Sequence, residues 1–321
     1  MLTCMLDKIK GKDVKIVFPE GNDERVLEAA IRLYREKILI PILLGNKMEV
    51  KVKAEEYGFN IDGIEIIDPL TYPDLESMIQ KMIDLRKGKM NAQQCREALE
   101  KTNYFGTMYV AMGLADGLVG GATYSTADTV RPALQLIKTK PTSHIVSSAF
   151  ILVRGDEKYV MSDCAINISP SEDDLVEIAI ETANTARVFG VEPIMGLLSY
   201  STLGSGKGEA VDKVRNATER LKLMDLDFKV DGEFQFDAAI SPVVAKTKAP
   251  DSEVAGKCNT FIFPSIEAGN IGYKIAQRLG GFEACGPILQ GLNAPINDLS
   301  RGCNAEEIYK LGIITAAQKY I

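Results

Sequence analysis

Short apolar runs alternate with longer amphipathic stretches from the start of the chain. VKIVFPE reads as a strand, DERVLEAAIRLYREK as a helix with its apolar residues at helical spacing, IPILLG as a strand, KMEVKVKAEEYG as a helix and IEIIDP as a strand. This βαβα alternation predicts a parallel sheet with helices on both faces, a build that binds ligands at the carboxyl ends of its strands. DLESMIQKMIDLRKGK, NAQQCREALEK and FGTMYVAMGLA then read as a helical block, followed by the strand GLVGG and one helix over TADTVRPALQLIK.

The pattern breaks at KTKPTS, Lys138 to Ser143, before two long strand-like runs, HIVSSAFILVRG and EKYVMSDCAIN. A domain boundary is expected there. Alternation then resumes through SEDDLVEIAIETANTARVFG, PIMGLLSYS, EAVDKVRNATERLKLMD, TFIFPS, AGNIGYKIAQRLGG and CGPILQG, a second α/β unit. One helix, NAEEIYKLGIITAAQKYI, remains at the end, and it cannot bury a core alone. It is expected to return to the first domain, giving residues 1–141 with 296–321 as one domain and 142–295 as the other. The turn LSRGC then lies at a crossing between domains, where clefts favour ligands.

Composition narrows the function. A chain of 321 residues, 46% hydrophobic and 25% charged, is of ordinary globular type and long enough for two cores. The net charge of −7 argues against nucleic acid or an acidic membrane as partner, so an anionic ligand needs a local basic cluster. No apolar run approaches a membrane span, and the start of the chain lacks the features of a signal peptide. A cytoplasmic location is expected. The six cysteines, Cys4, Cys95, Cys164, Cys258, Cys285 and Cys303, lack metal-ligand spacing, and His144 is the only histidine. A disulfide framework, a zinc site and serine-hydrolase chemistry are thereby disfavoured.

Three stretches could carry chemistry. Gly204-Ser205-Gly206-Lys207-Gly208 fails the phosphate-loop pattern at both ends and reads as a loop whose amides could meet an anion. GATYSTADTVRP places the hydroxyls of Tyr124, Ser125, Thr126 and Thr129 at a helix start that would suit a phosphate, with Arg131 on the same helix. The bland alternative is that Ser125 or Thr126 caps that helix. In LSRGCNAEE, Asn304 and Glu307 have capping-box spacing, whereas Arg301 puts a cation where the helix dipole favours an anion. An anion site built from Arg301 and the Ser300 hydroxyl follows.

FPEGNDERVLEAA, GATYSTADTVRPALQLIK, VMSDCAINISPS, GLLSYSTLGSGKGE, DGEFQFDAAISP, FIFPSIEAGNIGYKIAQRLGG and GPILQGLNAPINDLSRGC together resemble the phosphate acetyltransferase family, in its order and spacing over essentially the whole chain. The resemblance implies two α/β domains with a cleft between them, an isocitrate/isopropylmalate dehydrogenase-like fold, and a homodimer. It implies the reversible reaction of acetyl-CoA and phosphate to acetyl phosphate and CoA, by direct attack of the CoA thiol in a ternary complex. Neither a metal nor a tightly bound cofactor is implied, and coenzyme A enters as substrate.

Residue by residue, Ser300 matches the family serine that holds the reacting thioester, and Arg301 the arginine that binds the acyl phosphate. Glu307 stands where the family has an aspartate as base, one methylene longer, with Glu306 beside it. Arg86, Arg131 and Arg278 match arginines that grip CoA or the phosphoryl group, and Ser125 and Thr129 join the substrate-binding set. Cys303 reads as a packed neighbour. Phosphate butyryltransferases, which share much of the fold, are the alternative. A metal-dependent hydroxyacid dehydrogenase would bring an aspartate cluster and a nucleotide loop, and the sequence has neither.

Overall fold

Local signals account for the elements of the first of two units, Met1–Thr142 with Leu292–Ile321. The structure, a computed structural model, describes residues 2–320. In chain order come α1 (Leu2–Ile9), β1 (Lys15–Phe18), α2 (Glu24–Arg35), β2 (Ile40–Leu44), α3 (Lys47–Glu56) and β3 (Glu65–Ile67). Asp23 caps α2 by accepting from the Arg25 and Val26 amides, and Val26, Leu27, Ala30, Ile31 and Leu33 form its buried face. Full burial of one such Leu or Ile is worth roughly 1.5–3 kcal/mol, more than the cap supplies. Helices α4 (Leu75–Arg86), α5 (Ala92–Leu99) and α6 (Thr102–Ala111) follow, then β4 (Gly117–Gly120) and α7 (Thr126–Pro132).

The single helix expected over 126–138 is interrupted. At Pro132 the helix α7 gives way to one π turn, Ala133–Ile137. Proline has no N–H for the carbonyl one turn back. That carbonyl, on Asp128, takes a hydrogen bond from Asn103 Nδ2 at 2.7 Å instead.

The second unit, Ser143–Gly291, holds β5 (Ser147–Arg154), β6 (Glu157–Ser162), α8 (Glu172–Val188), β7 (Ile194–Leu198), α9 (Glu209–Lys222) and β8 (Lys229–Phe234). It continues with α10 (Phe236–Ile240), α11 (Pro242–Lys248), β9 (Thr260–Ile262), α12 (Ile266–Arg278) and β10 (Glu283–Gln290). Its sheet runs β10-β5-β6-β9-β7-β8. Pairings β6–β9, β9–β7 and β7–β8 are parallel, but β5 lies antiparallel to both β6 and β10. The departure from an all-parallel sheet has a simple cause: Arg154 pairs with Glu157 across a two-residue turn, too short for a parallel crossover.

The chain then re-enters the first unit as β11 (Ile296–Asp298) and α13 (Ala305–Gln318). Its sheet is parallel throughout, in the order β11-β4-β1-β2-β3. The order switches direction between β1 and β4, and sheets of this kind bind ligands at the carboxyl ends of the strands beside such a switch. Helix α13 buries Ile308, Tyr309, Leu311, Ile313 and Ile314 around most of its circumference and packs on α1, α2, β1 and β4. It is part of that unit's core.

Candidate active site

The carboxyl ends of β1, β4 and β11 meet at the switch point, and each brings a feature the site uses. After β1, Glu20 is only 4% exposed, yet its carboxylate is fully engaged. Oε2 accepts from the amides of Gly121 and Ala122 at 2.9 and 3.0 Å, while Oε1 accepts from Thr123 Oγ1 at 2.7 Å and from the Tyr124 amide at 3.1 Å. The Thr123 amide also donates to Oε1. The glycine-rich loop after β4 is therefore wrapped around a protein carboxylate, and its amides are already used. An anion does not find them free.

At the end of β11, Asp298 is 1% exposed. The following amide, Leu299 N, donates to the Gly120 carbonyl at 2.7 Å and brings the two chain segments together. Gly121 has φ +106, and a Cβ there would stand 2.5 Å from Asp298 Oδ1, so only glycine fits. Burial pushes the Asp298 pKa up to about 6; the Thr129 and Thr126 hydroxyls pull it down and the Glu20 charge adds to the rise. Asp298 Oδ1 and Thr129 Oγ1 are both buried without meeting the geometry of a formed hydrogen bond.

Past β11 the chain turns through Ser300, Arg301, Gly302 and Cys303. The Cys303 amide donates to the Ser300 carbonyl at 2.9 Å, and the Gly302 amide reaches Ser300 Oγ at 3.4 Å. Both Ser300 and Arg301 are exposed, and among the described residues the Arg301 guanidinium has no hydrogen bond or ion pair. Cys303 is buried, and burial pushes its thiol up to about 11, against the neighbouring Arg25 charge. A thiol so protonated is a poor nucleophile, in keeping with a packed neighbour.

Glu307 is in the capping box: its amide donates to Asn304 Oδ1 at 2.9 Å and its Oε2 accepts from the Asn304 amide at 3.2 Å. Glu306 is turned away onto Arg32 of α2 and, at 3.7 Å, Lys310. Ser125 also caps. Its Oγ donates to Asp128 Oδ2 at 2.6 Å and accepts from the Asp128 amide at 3.3 Å. The hydroxyl of Ser125 is thus committed to α7.

Of the arginines, Arg131 is exposed on α7 with Asp128 nearby, and Arg86 ends α4 with its Nε buried and unpartnered. Arg278 ends α12 in the second unit, exposed and, among the described residues, unpaired. The structure brings Ser300, Arg301 and Glu307 onto one turn and helix start, with Thr129 beside Asp298 at their base. The loop Gly204–Gly208 offers little to an anion, because the Gly204 amide donates to Glu233 Oε1 and the Gly206 amide to Ser201 Oγ, both at 2.8 Å.

Sequence reasoning passed over Glu20 and Arg25. Arg25 sits at the second position of α2 and donates to Asp23, to the Ala122 carbonyl and to the carbonyls of Arg301 and Cys303. The signal was available: a cation at a helix start is as anomalous at Arg25 as at Arg301.

An α/β enzyme that keeps buried carboxylates behind an unpaired arginine at a strand-end switch point is built for transfer chemistry on an anionic group. The family described as Phosphate acetyl/butaryl transferase matches residues 1–316, so the chain belongs to that family and is an acyltransferase. A Phosphate acetyltransferase of Bacillus subtilis (strain 168) is 58% identical over 318 residues, covering 99% of this chain and 98% of that one. A phosphotransacetylase from Streptococcus pyogenes, known by crystal structure, is 55% identical with a TM-score of 0.95, covering 98% of this chain and 97% of that one. The dehydrogenase-like fold expected from the sequence also stands: a putative 4-hydroxythreonine-4-phosphate dehydrogenase from Salmonella typhimurium has a TM-score of 0.54 at 12% identity, over 95% of this chain and 99% of that one.

Proposed function

We propose that the protein is a phosphate acetyltransferase, interconverting acetyl-CoA plus phosphate with acetyl phosphate plus CoA. The observation that carries this reading is the family match over residues 1–316, joined to an exposed serine–arginine turn whose guanidinium has no polar partner among the described residues. In the direction of acetyl-CoA synthesis the CoA thiol attacks the carbonyl carbon of acetyl phosphate. The C–S bond forms, the C–O bond to phosphate breaks, and the thiol proton leaves to a base. A thiol with a pKa of about 8.5 gains from such a base near neutrality.

In this mechanism Arg301 meets the acyl phosphate and offsets the charge that develops on its oxygens. The Ser300 hydroxyl donates to the tetrahedral centre. Glu307 uses Oε2 for its cap and offers Oε1 as the proton acceptor. Arg86, Arg131 and Arg278 grip CoA or the phosphoryl group through charge-assisted contacts, and Thr129 supports them from beneath the turn. Ser125 contributes by starting α7 and not by touching substrate. The two units act as the two domains of the enzyme, with α13 completing the first.

Coenzyme A acts as a substrate in this reading, and the reaction needs neither a metal nor a tightly bound cofactor, so dialysis against a chelator leaves the rate unchanged. A homodimer is supported by Ile271 and Ile275 of α12 and Leu279, the residue that caps its end, apolar residues at four-residue spacing that are 57%, 53% and 85% exposed. Light scattering at twice the chain mass tests it. A cytoplasmic location accords with the substrates; among the described residues no helix is long and apolar enough to cross a membrane. The deciding assay is phosphate release from acetyl phosphate on addition of CoA, with butyryl-CoA and acetyl-CoA compared in reverse. No CoA-dependent release would overturn the reading, and a preference for butyryl-CoA would move it to the longer acyl group.

A further inference from the structure

Arg25 touches three separate segments of the first unit. Its Nε donates to Asp23 Oδ1 at 3.0 Å, and one terminal nitrogen donates to Asp23 Oδ2 at 2.8 Å and to the Ala122 carbonyl at 2.9 Å. The other terminal nitrogen donates to the carbonyls of Arg301 and Cys303, each at 2.9 Å. A guanidinium has five N–H groups in a fixed fork, and these contacts use all of them. Asp23 supplies the counter-charge. Arg25 therefore has no donor left for a substrate, although its side chain is 30% exposed beside the site.

The turn it holds has little else to hold it. Within residues 300–303 the two bonds that Ser300 accepts set the local shape without attaching the turn to the rest of the unit. By hydrogen bond, attachment comes upstream through Leu299 and Gly120, downstream through the Asn304 cap and, among the described residues, in the middle only through Arg25. Among the described residues the Arg301 side chain finds no hydrogen bond or ion pair, so the backbone sets where its guanidinium starts. Moving that backbone by about 1 Å is enough to cost on the order of 100-fold in rate.

We propose that Arg25 is a positioning residue for the reaction: it fixes the backbone of the 300–303 turn against the loop after β4 and so aims Arg301 at the acyl phosphate. The inference rests on the role given to Arg301 above. Lysine cannot replace it fully, because three donors on one nitrogen cannot span Asp23, Ala122 and two carbonyls of the turn.

The test is a double-mutant cycle with Arg25→Gln, Arg301→Ala and the pair, with kcat and KM measured for both substrates. Arg25→Gln is expected to lower kcat by about 10- to 100-fold while KM for CoA stays within about threefold. The pair should be no slower than Arg301→Ala alone, because a misaimed arginine that is absent costs nothing further. Arg25→Lys, which keeps the charge beside Asp23, should recover part of the loss; it also carries the cycle if the Gln variant does not fold. Circular dichroism at the assay temperature shows which variants are folded. A wild-type kcat in Arg25→Gln, or equal costs with and without Arg301, overturns the positioning role while leaving that of Arg301 intact. A wild-type rate in Arg301→Ala removes the role on which the inference rests.

Discussion

Asp298→Asn should make the protein more stable, and the gain should depend on pH. The carboxyl is 1% exposed, and its pKa rises from 3.8 to about 6 on folding, chiefly through burial. Below pH 3.8 it is protonated in both the folded and unfolded chains and exerts no linkage penalty. Between the two values the unfolded chain ionises while the folded one holds its proton, so folding loses stability as pH rises; above about 6 the penalty is complete. A shift of about two units at 1.36 kcal/mol each is worth roughly 3 kcal/mol at pH 7 and about half of that at pH 5. Asparagine cannot ionise, and its amide can donate to the unpartnered Thr129 Oγ1. Urea unfolding of wild type and variant at pH 5, 6, 7 and 8 measures the difference. It should grow from pH 5 to 7 and then level off. A difference that stays flat across this range, or an asparagine variant that is less stable at pH 8, refutes the reasoning.

Arg301→Ala should lower kcat by two to three decades with the fold intact, since a contact to a developing charge is worth roughly 2.7–4 kcal/mol; turnover within threefold of wild type would sink it. Arg86→Ala and Arg278→Ala should raise KM for CoA at near-normal kcat, as expected of contacts made equally before and during reaction, and an unchanged KM in both removes that role. Glu307→Gln keeps the capping box and loses the proton acceptor, so activity should fall by roughly two to four decades with the melting temperature unchanged. Wild-type rates in that variant would leave Glu307 as a cap and transfer the search to Asp298, because Glu306 is engaged by Arg32.

The long apolar runs of β1, β2 and β5 and the capping box at Asn304 were legible because each is settled by neighbours in the chain. Strand β11 was not. It is three residues long and buries Asn297 and Asp298, so no alternation marks it; Asn297 is satisfied by Thr315 and Gln318 of α13, a partner visible only in the fold. The antiparallel β5–β6 pair needed the two-residue turn to be weighed above the general alternation. In the site, Arg301 announced itself by violating a local rule, and Ser125 obeyed one. Glu20 reads as an ordinary acid after a proline until the loop 101 to 104 residues away closes on it. Arg25 finds its carbonyl partners 276 and 278 residues on. Spacing arguments have no reach over such separations.

The return of the chain to its first unit sets the order in which the protein can mature. Strand β11 pairs with β4, but the second unit, Ser143–Gly291, lies between them in the chain. At roughly 5–20 residues per second on the ribosome, β4 waits about 9–35 s for that partner. During synthesis its edge is bare; Glu20 can already gather the loop after β4, but Arg25 has no 300–303 turn to hold. The second unit is contiguous and is free to fold in that interval. The site is consequently incomplete in every nascent chain until the segment Leu292–Ile321 emerges.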